Sequence, residues 1–132
     1  MKVLIVGSRS IDEFELSGIV PKKAELIISG GAEGIDSIAE KYADQNRISK
    51  LILRPKYEKY GKAAPLKRNE AMVDIADVVL IIWDGVSRGA MHTLKYAQKR
   101  RKNIILIKTN DIKLSADKQL IDIPREAFTF EK

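Results

Sequence analysis

Short apolar runs alternate along this chain with stretches whose apolar residues recur at helical spacing. The first run, Val3 to Val6, is uninterrupted and stops at Gly7-Ser8-Arg9. A strand buried on both faces reads in this way, apolar at every position. Similar runs follow at Leu26-Ile27-Ile28, ending in Ser29-Gly30-Gly31, and at Leu51-Ile52-Leu53, halted by Pro55. Asp77 introduces the longest, Val78 to Ile82, which ends at Trp83-Asp84-Gly85, and Ile104 to Ile107 supplies a fifth. Helices are predicted between them: from Ile11 to Ile19, closed by Pro21; from Glu33 to Gln45, with Ile35, Ile38, Ala39 and Tyr42 on one face; from Pro65 to Ile75; and from Gly89 to Arg101, with Met91, Leu94 and Ala97 on one face. The stretch from Lys56 to Ala64 has no period and reads as a loop.

Continuous apolar strands separated by helices define an α/β chain with a parallel sheet. Right-handed crossovers then predict a Rossmann-like, doubly wound sheet with strand order 3-2-1-4-5 and helices on both faces. Residues 1–132 are expected to form one domain, with a core over 1–110. The C-terminal extension, 111–132, is expected to hold a short helix and an edge strand near Phe128 to Phe130. There is no internal repeat, low-complexity segment or linker.

Composition narrows the chemistry. At 132 residues the chain can bury a core of its own. It has no cysteine, so disulfides and thiolate metal sites are excluded, and its single histidine, His92, excludes a histidine-rich metal centre. His92 itself is expected on a helix surface. No run approaches the ~18 apolar residues of a membrane span. The N-terminal run is too short for a signal peptide and lacks a small-residue cleavage site, so a cytoplasmic location without a membrane partner is expected. Twenty-four Lys and Arg against 18 Asp and Glu leave a formal net charge of +6. That sign favours anionic partners, a small phosphate as much as a nucleic acid, although a solvated lysine-rich surface is the plainer account of it.

In an open parallel sheet, ligands bind beyond the carboxyl ends of the strands where the winding reverses, here between the first and fourth strands. Three loops end there. Gly7-Ser8-Arg9 offers a glycine for close backbone approach, a hydroxyl donor and a guanidinium that can pair with phosphate. The loop from Ser29 to Asp36 holds Gly30, Gly31 and Gly34, with Ala32 and Glu33 between, at a helix start. Bare N–H groups and the helix dipole make such a loop an anion site, or else a tight turn whose glycines serve packing. It lacks the Lys-Ser or Lys-Thr of a P-loop. A carboxylate suits a phosphate poorly, so Asp36 is expected to order the loop or to accept from a ribose or base. The third loop, Trp83 to Gly89, again leads into a helix. Ser87 can cap that helix or bond a phosphate. Thr93 lies one turn further in, and Trp83 can stack on a base or sit in the core. Arg68 and Asn69, near the start of the third helix, are placed to reach over the sheet edge.

Taken together, G-S-R after the first strand, S-G-G-A-E-G-I-D after the second, R-N-E-A-M, and A-D-V-V-L-I-I-W-D-G-V-S-R-G-A-M-H-T resemble the SLOG superfamily. Within it they resemble the YspA-type branch of small bacterial and phage proteins related to YpsA. The likeness runs from Met1 to about Ile107. Two relatives bracket the function it implies. DNA-processing protein A binds single-stranded DNA and loads recombinase. Its S-G-x-A-x-G-I-D is similar to Ser29 through Asp36, its R-N-R to Arg68-Asn69, and its S-G-S-L-x-T to Ser87 through Thr93. The lonely-guy phosphoribohydrolases cleave the base from a nucleoside monophosphate. Their R-K-x-x-M-x-x-x-S-D is similar to Arg68 through Met72 and Asp77, and their P-G-G-x-G-T-x-x-E to Asp84 through Thr93. The departures are specific. Thr93 stands where the hydrolases carry the glutamate that stabilises the ribose, and Asp84-Gly85 replaces their Pro-Gly.

Three functions follow as expectations. The first is binding of a nucleotide or nucleotide derivative as a sensor or ligand carrier. The phosphate would lie on the Gly30–Gly34 and Ser87–Gly89 backbones, with Arg9 and Arg68 neutralising it and Trp83 or the Gly7–Arg9 turn bordering the base or sugar. Family analogues imply AMP, ADP-ribose or an NAD-like ligand, with no obligatory cofactor and no metal. The second is hydrolysis of the N-glycosidic bond of a nucleotide, with Glu33 or Asp36 as the candidate catalytic carboxylate. The third is binding of single-stranded DNA through Lys95, Lys99, Arg100, Arg101 and Lys102, with few aromatics available for stacking. The resemblance also implies a homo-oligomer, expected as a dimer through helices flanking the sheet.

Overall fold

The computed structural model describes residues 1–109 and the backbone of 118–120. Five parallel strands run β1 (Lys2–Gly7), β2 (Leu26–Ser29), β3 (Ser49–Ile52), β4 (Val78–Trp83) and β5 (Asn103–Thr109). Their order across the sheet is β3-β2-β1-β4-β5, as the alternation predicts, which makes the fold Rossmann-like α/β. A sixth strand, β6 (Lys118–Leu120), adds antiparallel to β5, pairing Leu120 with Ile107. The short helix and the Phe128–Phe130 strand expected in the C-terminal extension lie outside the described residues, apart from 118–120.

Strand pleating divides the apolar residues between two cores. Val3 and Ile5 of β1, Leu80 and Ile82 of β4 and Ile107 of β5 face one side. Leu4, Val6, Val79, Ile81 and Leu106 face the other. On the first side they meet Ile35, Ala39 and Ala43 of α1 (Ile35–Gln45). On the second they meet Met72 and Val73 of α3 (Ala64–Ile75) and Ala90, Leu94 and Ala97 of α4 (Arg88–Lys99). This segregation follows from right-handed crossovers: the chain winds from β1 to β3 over one face and returns to β5 over the other. Pairing with Asp77 at its N-terminal end pins β1 to β4, through Lys2 N donating to Asp77 Oδ2 and Asp77 N to the Lys2 carbonyl, both at 2.8 Å.

Three local expectations need correction. The third strand covers Ser49–Ile52 rather than Leu51 to Leu53, and Ser49, Lys50 and Leu51 are exposed, so it is an outer strand and not one buried on both faces. Residues 11–20 form no helix: the first crossover is an irregular loop closed by a turn in which Gly18 has φ +81°. Ile11, Phe14, Leu16 and Val20 are buried from it into the first core. Their uneven spacing cannot lie on one helical stripe, but an extended segment can lay them on the sheet. The stretch expected as a loop before α3 is instead the single turn α2 (Tyr57–Tyr60) followed by a 3₁₀ turn, Gly61–Ala63, that runs directly into α3. Neither turn buries a side chain, so neither leaves an amphipathic signature.

Candidate functional site

The winding reverses between β1 and β4, and a cavity of about 540 Å³ opens there at the carboxyl ends of the strands. Of the residues predicted from sequence, Gly7, Arg9, Ala32, Asp36, Arg68, Asn69, Asp84, Ser87, Gly89 and Thr93 line it. They come from four separate stretches of chain, converging as the doubly wound topology requires.

Much of the polar chemistry around the cavity is already engaged. The Ser8 hydroxyl accepts from Asp84 N at 3.0 Å, and Ser8 N donates to the Ile82 carbonyl at 3.1 Å, so this buried serine ties the end of β1 to the end of β4. Asp84 Oδ1 accepts from Val86 N and Ser87 N, both at 2.9 Å, and its Oδ2 accepts from Ser10 Oγ at 3.0 Å. Partial burial pushes the Asp84 carboxyl up, but these donors outweigh it and hold the carboxyl below its usual range. Ser87 caps α4, accepting at Oγ from Ala90 N at 3.3 Å. Thr93 is fully buried and donates to the Gly89 carbonyl at 2.9 Å, a bond within its own helix.

The glycine loop after β2 is organised in the same way. Ser29 is buried and donates to Glu40 Oε2 at 2.9 Å, while its oxygen accepts from Gly31 N at 3.2 Å. Asp36 Oδ2 accepts from Ala32 N at 3.1 Å. Burial raises the Asp36 carboxyl above its ordinary value, and the Ala32 amide and the Arg68 charge oppose that rise. Asp36 therefore orders the loop, one of the two roles its position predicts. Arg68 Nη1 donates to the carbonyls of Gly30 at 2.6 Å and Leu53 at 3.2 Å, and Nε donates to Asn69 Oδ1 at 2.8 Å. Half-burial lowers the Arg68 pKa, with the charge of Asp36 opposing the shift.

Seven residues of the predicted ligand set stand back from the cavity. Ser8, Ser29, Gly30, Gly31 and Gly34 build the loops behind it. A Cβ on Gly34, at φ +72°, would lie 2.5 Å from the Ser8 carbonyl oxygen, so this glycine lets the first two loops touch. Trp83 packs against the second core and donates its indole N–H to the Ser87 carbonyl at 3.1 Å, so it holds the third loop rather than bordering the cavity. Gly85 turns that loop at φ +92°. Glu33, the other candidate carboxylate, is exposed and outside the lining. The structure adds Val6, Ser10, Lys62, Pro65, Leu66 and Ala90 to the wall. Pro65 in the first turn of α3 is the signal that could have found Lys62, because a helix returning to β4 must begin at the carboxyl end of the sheet.

The basic cluster lies at the other end of α4. Arg100 pairs with Asp74 at 3.1 Å, and Lys102 donates to the Asp74 and Ala76 carbonyls at 3.3 and 2.9 Å. His92 sits between α3 and α4 with Nε2 at 3.0 Å from Glu70 Oε2. Asp77, matched above to a hydrolase motif, serves the β1–β4 pairing at the sheet edge opposite the cavity.

The 36% identity of this chain over 80 residues to the Gene 61 protein of Mycobacterium phage D29 covers 56% of this chain and 64% of that protein. The chain thus spans less than two thirds of that relative's length. No family model and no solved structure matches the chain. Among the described residues no helix is long and apolar enough to cross a membrane.

Proposed function

We propose that this chain is a SLOG-type nucleotide-binding domain whose cavity between β1 and β4 takes the phosphate and sugar of a nucleotide or nucleotide derivative. The observation that carries the reading is the set of cations on one cavity, Arg9, Lys62 and Arg68, together with Gly89 in the first turn of α4. Arg9 and Lys62 are exposed side chains at its mouth, whereas Arg68 is held by backbone carbonyls within it. Arg9 and Lys62 are therefore the phosphate ligands of this reading, and Arg68 a fixed charge behind them. The cavity volume suits a small molecule of nucleotide size.

Thermal unfolding against AMP, ADP, ADP-ribose, NAD and a short single-stranded DNA tests the reading. A ligand at a hundredfold excess over its Kd adds about 2.7 kcal/mol, raising the midpoint by roughly 10 °C in a domain of this size. The expected result is a shift with a mononucleotide that Arg9→Ala abolishes. A shift with DNA alone, steeply salt-dependent, would move the function to the basic end of α4.

A hydrolytic version of the same reading rests on Asp36, the candidate carboxylate that lines the cavity and whose pKa is raised by burial. Base release from a nucleoside monophosphate, lost in Asp36→Asn while binding persists, is its test.

A further inference from the structure

Beyond Arg68, on the β3 side, lies a second concavity of about 330 Å³. Its floor is apolar, with Ile52, Leu53 and the buried Ala64, and its rim carries Arg54, Lys56, Lys67 and the ring of Tyr60. Among the described residues, no carboxylate belongs to its lining. The rim cations are weakly engaged from within the chain. Arg54 Nη1 reaches the Gly31 carbonyl at 3.5 Å, the Lys67 ammonium stands 3.8 Å from Glu70, and Lys56 makes no ion pair among the described residues. Gathering like charges around an apolar floor costs free energy, and an anion seated among them offsets that cost. Arg68 lines both concavities, so its guanidinium is the wall they share.

We infer that the two concavities form one two-part site, and that its ligand is a nucleotide carrying a second phosphate set apart from the first. One phosphate meets Arg9 and Lys62 in the larger cavity. The other lies past Arg68, among Arg54, Lys56 and Lys67, where Tyr60, with the Lys59 ammonium 5.1 Å from its ring centroid, can stack its other face on a base attached to it. This inference rests on the nucleotide reading above and adds to it the spacing of the anionic groups. Two ligands share the required chemistry: a nucleoside 3′,5′-bisphosphate, and a 5′-phosphorylated dinucleotide whose second phosphate is the internucleotide link.

Titration calorimetry of the full chain with AMP, ADP, adenosine 3′,5′-bisphosphate and the dinucleotide pApA tests it. ADP carries two adjacent phosphates, so it controls for charge without spacing. We expect the bisphosphate or pApA to bind about tenfold more tightly than ADP, a difference of about 1.4 kcal/mol. The double variant Arg54→Ala/Lys56→Ala, at two exposed positions, should erase that advantage over ADP, and its unliganded melting curve checks that it folds. Preference for the bisphosphate assigns a phosphate subsite alone, and preference for pApA adds the base at Tyr60, which Tyr60→Ala would then weaken. ADP binding as tightly as both, or an advantage that survives the double variant, overturns the two-part site and leaves the nucleotide reading standing. Binding of none of the four overturns the two-part site, and the nucleotide reading then rests on ADP-ribose and NAD alone.

Discussion

Arg68 on α3 donates to the carbonyl oxygen of Gly30 at 2.6 Å, and so joins the helix to the glycine loop that follows β2. The same nitrogen reaches Leu53 just past β3, so one side chain closes three elements. Arg68→Ala should therefore cost about 2–3 kcal/mol of stability, the range for charge-assisted hydrogen bonds that leave buried acceptors unpaired. Lysine should recover only part of this, because it lacks the Nε donor to Asn69. Urea denaturation midpoints decide the matter, and a neutral Arg68→Ala would mean the clamp carries no weight.

Gly7 is a packing requirement. A Cβ there would stand 2.3 Å from the Ile82 carbonyl oxygen and 2.5 Å from Ile35 Cγ1. Gly7→Ala must push β4 and α1 away together, at a cost of about 2–4 kcal/mol. Gly89→Ala, with no described atom within 4 Å of its would-be Cβ, is the control, and should be neutral or slightly stabilising. Equal melting temperatures for the two variants would contradict this packing.

Asp84 gathers Val86 N, Ser87 N and Ser10 Oγ on one carboxylate. Asp84→Ala should cost about 1–2 kcal/mol and loosen the loop entering α4, seen as faster amide exchange at Val86 and Ser87. Folding lowers this carboxyl, so its contribution is present above the unfolded value near 3.8 and is lost as pH falls through the lower folded value. The gap between wild type and Asp84→Ala should accordingly narrow in acid.

Asp36 titrates with the opposite sign. Burial raises its folded pKa above the unfolded value of 3.8, so the folded protein keeps this proton to higher pH than the unfolded chain does. The stability linked to it is full below 3.8 and declines as pH rises through the raised folded value. Asp36→Asn removes that slope. Its stability relative to wild type should improve from pH 3 to pH 7, measured by denaturation at each pH, and a constant difference would show that the carboxyl is not perturbed.

The local signals in the sequence divide sharply by kind. Strands β1, β2, β4 and β5 and helices α1, α3 and α4 follow from apolar runs, helical spacing and Pro65, because burial on one or both faces writes a period into the chain, whereas β3 begins two residues before its apolar run and buries none of its residues. The segment from Ile11 to Val20 carries enough apolar residues to suggest a helix, but its conformation is set by the sheet it covers. The turns from Tyr57 to Ala63 bury nothing, so no period marks them. In the site, the glycine loops and Arg9, Arg68, Ser87 and Asp84 were legible because strand-to-helix loops of a parallel sheet must meet at its carboxyl edge. Lys62 lies in the turn before α3, which buries nothing and has no period of its own, so only Pro65 at the start of the following helix marks its place.

By itself, then, the sequence determined the sheet, its order and the edge at which a ligand could bind, all consequences of local periodicity and crossover handedness. Only the tertiary structure decided which polar groups remain for a ligand. Ser8, Ser29 and Trp83 are consumed in joining loops, and Arg68 is spent largely on carbonyls. Arg9 and Lys62 are exposed in the cavity lining and make no ion pair among the described residues. That division depends on which donor meets which acceptor across stretches far apart in the chain, and no local pattern of residues encodes such a meeting.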